Sequence, residues 1–125
     1  MMALDVYTRQ CSTLVTCAQL AMMGATLANG GVNPKTGERV ITEENVPHIL
    51  AEMTMEGLYT YSGDFAYTVG LPGKSGVGGG ILAVAPGTLA IAGFAPPLDE
   101  AGNSVRGLAG VADVAKTLGL NVFKG

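Results

Sequence analysis

The sequence predicts an α/β chain of the α+β type, in which helices pack on an antiparallel sheet. Three observations carry this prediction. Small and apolar residues recur at helical spacing in two early segments, one rich in alanine and one bounded by acidic residues and glycine. Two apolar runs, 81–85 and 89–94, flank Pro86-Gly87-Thr88 and read as a hairpin. A last helical stripe closes the sequence, giving the order helix, helix, three strands, helix.

The first segment reads as one helix from about Asp5 to Asn29. Ser12 or Thr13 is the candidate cap of its main part, and Leu14, Cys17, Ala18, Ala21, Ala25 and Ala28 form its stripe. Asn29-Gly30-Gly31 offers the left-handed residue that ends a helix. The stripe is made of small residues, so another backbone can approach it closely, as for a helix buried in a larger core. Asn33-Pro34-Lys35-Thr36-Gly37 is a turn. The second helix opens at Thr42, with Glu43 and Glu44 where the helix dipole favours anions. It carries Val46, Ile49, Leu50 and Met53 on one face, tolerates Pro47 near its start, and stops at Gly57. Phe65 to Leu71 is rich in strand formers and reads as the first strand. Pro96-Pro97 ends the last strand. Asn103 or Ser104 then caps a helix with Val105, Leu108, Ala109, Ala112, Ala115 and Leu118 on one face, ended by Gly119. Both hairpin strands are apolar at nearly every position, so both faces of their sheet need cover. Three helices supply it only in part, which points to missing protein and to self-association.

Composition excludes several functions. The 125 residues are 48% hydrophobic and 14% charged, against about 25% charged in ordinary soluble domains. The net charge is −3 and no Lys/Arg cluster exists, which argues against nucleic acid and against an anionic membrane surface. The long apolar run from Gly76 to Phe94 is broken by glycines and by Pro86-Gly87, so no membrane span is expected. No charged n-region precedes an apolar run, so no secretory leader is expected either. Cys11 and Cys17 are six apart, a spacing of neither a zinc pair nor a redox CxxC, and they read as buried free thiols of a reducing, cytoplasmic compartment. No His/Cys/Asp cluster has metal-ligand spacing. Met1-Met2-Ala3-Leu4 carries no cap signal, which suggests either a longer protein cut here or translation starting inside one.

Chemistry has few places to reside. Lys74-Ser75-Gly76 opens a glycine-rich stretch. The order differs from a P-loop, and a strand follows where a P-loop has a helix. It reads either as a glycine-rich bulge or, on the edge of an antiparallel strand, as something resembling the third motif of the penicillin-recognising serine hydrolases. Tyr59 lies between the second helix and the first strand, in company with Tyr61, Tyr67, Ser62 and Asp64. It is either part of an aromatic cluster or a phenol placed for proton transfer. His48, the only histidine, has no assignable serine or cysteine partner and reads as a surface or structural residue. Asp99 and Glu100 read as solvated or as holding a turn.

Longer stretches carry a resemblance. Residues 59–81, from Tyr59-Thr60-Tyr61-Ser62-Gly63-Asp64 through Lys74-Ser75-Gly76-Val77 to Ile81, resemble the bacterial serine-dependent glutaminase family. So do Ala95-Pro96-Pro97-Leu98-Asp99 through Gly102-Asn103-Ser104-Val105, Val6-Tyr7-Thr8-Arg9-Gln10-Cys11-Ser12, and Ala25-Thr26-Leu27-Ala28-Asn29-Gly30-Gly31. The resemblance implies a β-lactamase/penicillin-binding-protein-like fold, and hydrolysis of L-glutamine to L-glutamate and ammonia through a serine acyl-enzyme, with no metal or organic cofactor. It implies that Tyr59 is the catalytic tyrosine, that the Val77 backbone N–H helps form the oxyanion hole and contacts substrate, and that Tyr7 lines the glutamine pocket. The same resemblance implies that Lys74, Ser75 and Gly76 form the supporting motif.

One departure governs the rest. Ser12, Ser62, Ser75 and Ser104 are the only serines, and the residues three further on are Val15, Phe65, Gly78 and Gly107. The Ser-x-x-Lys nucleophile of the family is absent. By resemblance residues 1–125 are then a single partial domain, the C-terminal portion of a glutaminase domain. Its expected partners are the N-terminal part of the same enzyme, L-glutamine and further copies of itself, and the isolated chain is expected to be inactive. Two alternatives are a non-catalytic, self-associating domain and another acyl hydrolase of the same superfamily.

Overall fold

The computed structural model describes residues 2–124. In chain order it contains α1 (Ala3–Cys11), α2 (Cys17–Ala28), a 3-10 turn (Glu43–Asn45), α3 (Val46–Glu56), a second 3-10 turn (Tyr59–Tyr61), α4 (Ser62–Thr68), β1 (Gly73–Gly76), β2 (Gly80–Ala85), β3 (Leu89–Phe94) and α5 (Val105–Thr117). The strands form an antiparallel sheet in the order β1-β2-β3. Gly73 pairs with Ala83 and Gly76 with Gly80 in one ladder, Gly80 with Phe94 and Ala85 with Leu89 in the other. The predicted class and the hairpin at Pro86-Gly87-Thr88 are therefore present.

Alternation along β2 builds the core. Ile81, Ala83 and Ala85 face Leu58, Phe65, Val69, Leu71, Val111 and Ala115, from α4, α5 and the loops beside them. Leu82 and Val84 face Ala28 and Met53, from α2 and α3. Both faces of β2 are covered, as its apolar sequence requires. β3 is only half-buried over most of its length.

Three expectations fail, each for a local reason. The first segment is two helices. Thr16 and Gln19 form a capping box, Gln19 N–H donating to Thr16 Oγ1 at 3.1 Å and Thr16 N–H to Gln19 Oε1 at 2.8 Å, and this starts a fresh helix where Ser12 or Thr13 was expected to cap. The face that packs is Leu20, Gly24, Leu27 and Ala28. Gly24 sets it: a Cβ there lies 2.6 Å from both Ala90 Cβ and Leu82 Cδ1, so the helix is drawn onto the sheet at its glycine. Leu14, expected on the stripe, is 96% exposed.

Cys11 and Cys17 are both exposed rather than buried. Among the described residues α1 buries none of its own, so Cys11 on it stays exposed, and Cys17 lies in the exposed first turn of α2. Met2 precedes α1 and makes no side-chain cap bond to it; Met1 lies outside the described residues.

The segment 65–71 is not a strand. Ser62–Thr68 is helical, and Phe65 and Val69 are buried four residues apart while Tyr67 and Thr68 face outward. A buried pair at that spacing selects a helix over the strand propensity of the individual residues. The first strand comes later, at 73–76.

The end of α3 is fastened to the free edge of β1. Gly57 O accepts from Ser75 N–H at 3.0 Å and from Ser75 Oγ at 3.3 Å. The approach leaves no room for a side chain, since a Cβ on Gly57 falls 1.7 Å from Gly73 O. Gly57→Ala is expected to destabilise by about 2–4 kcal/mol, the range of severe overpacking. Thermal unfolding reads it as a clear drop in Tm; an unchanged Tm means the two segments separate freely.

Candidate active site

The junction between α3 and α4 places Tyr59. Its φ of 55° makes it the one non-glycine residue with positive φ among those described. Left-handed backbone costs a residue with a Cβ about 1–2 kcal/mol, and such strain persists where neighbours over-determine it, often at functional sites. Ser62 is one such neighbour: its Oγ accepts from Leu58 N–H at 3.0 Å and donates to Tyr59 O at 2.8 Å. Leu58 is buried beside it, while Tyr59 is 47% exposed. The turn anchors an apolar residue and turns the next phenol outward.

Lys74, on β1, holds its ammonium 5.1 Å from the centroid of the Tyr59 ring, within the range of a cation–π contact. The same ammonium donates to the Ser75 carbonyl. Partial burial lowers the Lys74 pKa from the ordinary lysine value. Val77 begins the turn after β1, closed by Gly79 N–H donating to Gly76 O at 2.9 Å. Val77 is exposed, and its backbone N–H has no acceptor among the described residues. A Cβ on Gly76 meets nothing within 4 Å, so the approach to this strand end is open.

Tyr7 projects from α1 and is 64% exposed. Cys11, one helical turn on, is the main influence raising its phenol pKa; burial and the nearby Tyr59 phenol add less. The aromatic cluster allowed by the sequence does not form: Tyr67 is 88% exposed and Tyr61 packs on the core. His48 lies on the exposed side of α3, where it lines an open cavity of about 440 Å³ with Ile49, Glu52, Met53, Gly57 and Lys74.

The serines have other work. Ser75 is buried and donates to Gly57 O. Ser62 holds the Tyr59 turn. Ser104 donates to Ala95 O at 2.6 Å and caps α5 by accepting from Gly107 N–H. Ser12 is exposed at the end of α1. Asp99 holds a turn, its Oδ1 accepting from Asn103 N–H at 2.9 Å. Among the described residues no group of three or more His, Cys, Asp or Glu side chains is placed to hold a metal ion. No helix among them is long and apolar enough to cross a membrane. The left-handed turn at Tyr59 and its partners were not visible in the sequence, because a tyrosine gives no sign of positive φ.

Comparisons with known proteins converge. The family model described as glutaminase matches residues 1–123. A glutaminase of Mycobacterium ulcerans (strain Agy99) is 73% identical over 123 residues, 98% of this chain and 38% of the relative. Glutaminase 1 of Escherichia coli (strain K12) is 71% identical over 125 residues, 100% of this chain and 40% of the relative. The structure of the probable glutaminase ybaS superposes with a TM-score of 0.97 at 72% identity, over 98% of this chain and 40% of that one. The Bacillus subtilis glutaminase YbgJ, in a covalent complex with 5-oxo-L-norleucine formed from 6-diazo-5-oxo-L-norleucine, superposes with a TM-score of 0.91 at 36% identity, over 96% of this chain and 43% of that one. The chain spans about two-fifths of the length of the curated relatives it matches.

Proposed function

The chain belongs to the glutaminase family, and from that premise we propose that residues 1–125 are one partial domain, the C-terminal portion of an enzyme that hydrolyses L-glutamine to L-glutamate and ammonia through a serine acyl-enzyme. The observation that carries this reading is the strained Tyr59, turned outward beneath the Lys74 ammonium at 5.1 Å. In the proposed mechanism a serine outside this segment attacks the side-chain amide carbon of glutamine. The Val77 N–H, a fixed dipole with no acceptor among the described residues, stabilises the developing oxyanion. The Tyr59 hydroxyl moves a proton as the serine attacks and as ammonia leaves. Tyr7 offers its neutral phenol to the substrate, and water then releases glutamate from the serine ester. The covalent complex of the Bacillus subtilis glutaminase YbgJ with 5-oxo-L-norleucine, formed by its reaction with 6-diazo-5-oxo-L-norleucine, supports a nucleophilic route. No metal or organic cofactor enters these steps. The two exposed free cysteines fit a reducing, cytoplasmic compartment. Ammonia release by the complete protein with L-glutamine, lost on Tyr59→Phe, tests the reading; full activity without the Tyr59 hydroxyl contradicts it.

A second reading, a self-associating non-catalytic domain, is favoured by α1, which buries none of its residues, and by the half-buried edge strand β3. An unpaired apolar edge is a template for another chain. The isolated chain is expected to self-associate at tens of micromolar, a range in which such surfaces commonly associate. Sedimentation velocity showing oligomers agrees with this; a compact monomer means these surfaces tolerate water.

A further inference from the structure

The turn at Tyr59 is held from two sides, and the second holder is distant in sequence. Asn103 is fully buried. Its Nδ2 donates to Leu58 O at 3.1 Å, across 45 residues. That carbonyl belongs to the peptide whose nitrogen is Tyr59 N. With Ser62 Oγ on Leu58 N–H and on Tyr59 O, the backbone on both sides of the strained residue is fixed by buried side chains. Asn103 is itself immobile: its N–H donates to Asp99 Oδ1 at 2.9 Å, its carbonyl accepts from Asp99 N–H at 2.8 Å, and the next residue caps α5.

The other half of the Asn103 amide does nothing comparable. Its Oδ1 is buried with no partner among the described residues. A buried acceptor left unpaired is unfavourable, so the side chain is poorly suited to stability alone. Its single side-chain bond is the one to Leu58 O.

We infer that Asn103 is a positioning residue for the glutaminase reaction, fixing the Leu58–Tyr59 peptide so that the Tyr59 hydroxyl stays where it transfers its proton. The inference rests on the proton-transfer reading of Tyr59. Positive φ is unfavourable for a residue with a Cβ. Leu58 O also accepts from Tyr61 N–H at 3.1 Å, but that bond lies within the turn itself, so losing the Asn103 donor removes the tie from this carbonyl to a distant element and lets the peptide shift. The ring then leaves its place under the Lys74 ammonium. Misplacing a reacting group by about 1 Å costs on the order of 10²-fold in rate.

The test uses the complete enzyme and measures kcat, KM for L-glutamine and Tm for Asn103→Ala, Tyr59→Phe and the double variant. Asn103→Ala is expected to lower kcat by about 10- to 100-fold with KM within about twofold of normal. The double variant should be no slower than Tyr59→Phe alone by more than about twofold, because residues acting through one another are not additive. Asn103→Asp gives a second route if the alanine variant does not fold. Its protonated carboxyl can donate to Leu58 O and its ionised form cannot, so its kcat relative to the unaltered enzyme should recover as pH falls. Near-normal kcat for a folded Asn103→Ala beside an impaired Tyr59→Phe overturns the inference, as does a fully multiplicative loss in the double variant or a change in KM alone. Near-normal kcat for Tyr59→Phe overturns instead the proton-transfer reading, and the positioning role with it.

Discussion

In the complete enzyme, Tyr59→Phe is expected to lower kcat by about 10²–10⁴-fold, the usual worth of positioned proton transfer, while KM for L-glutamine changes little. The substitution keeps what the structure shows the ring doing. The aromatic face under Lys74 remains, and the Ser62 bonds go to Leu58 N–H and Tyr59 O, which are backbone atoms. The ring is half exposed, so loss of one hydroxyl should leave Tm nearly unchanged. An equal fall in kcat and kcat/KM marks an interaction made in the transition state. If Tyr59 only fills the junction between α3 and α4, the phenyl ring fills it as well, and kcat stays normal. A fall of less than about threefold lies far below the range for general acid–base catalysis and removes the proton-transfer role.

Hairpin and helix signals in the sequence were strong because burial enforced them. Val84 and Ile81 are completely buried on opposite faces of β2, so every residue of that strand is apolar, and Pro86-Gly87-Thr88 has only one sensible use between two such strands. Ser104 and Gly57 also marked their helix ends correctly. The errors fell where a tertiary partner outweighed local preference. Phe65 and Val69 look like strand residues until the helical spacing of their burial is known. The Thr16–Gln19 capping box was present in the sequence but hidden inside an apolar run that continued on both sides. Cys11 and Cys17 have the residue type of a buried core, yet this segment does not itself provide a core around them.

The candidate site rests on resemblance alone in the sequence. Tyr59, Lys74 and Ser75 are common residue types at unremarkable spacings, and physical reading alone left each with an ordinary structural explanation. What the structure adds is the conformation of Tyr59 and the distance to Lys74, neither of which residue identity encodes. In the sequence Asn103 reads only as a candidate helix cap. The cap is its neighbour Ser104, and the Asn103 side chain turns inward to a carbonyl 45 residues away in sequence. Contacts of that length cannot be read from periodicity.

The division of labour proposed for this segment is that it carries Tyr59, Tyr7 and the Val77 N–H while the nucleophile comes from elsewhere in the enzyme. None of its four serines is followed three residues later by lysine, and three of them are committed to hydrogen bonds that hold turns, a helix cap or a strand edge. A serine pathway has no low-energy route without its activated serine. The most direct test is ammonia release from L-glutamine by the purified 125-residue chain, beside the complete enzyme at equal molarity. The expected result is no release above the uncatalysed background from the chain and full turnover from the enzyme. Glutamine-dependent release by the chain alone, surviving replacement of Ser12, Ser62, Ser75 and Ser104 each in turn, would contradict the account.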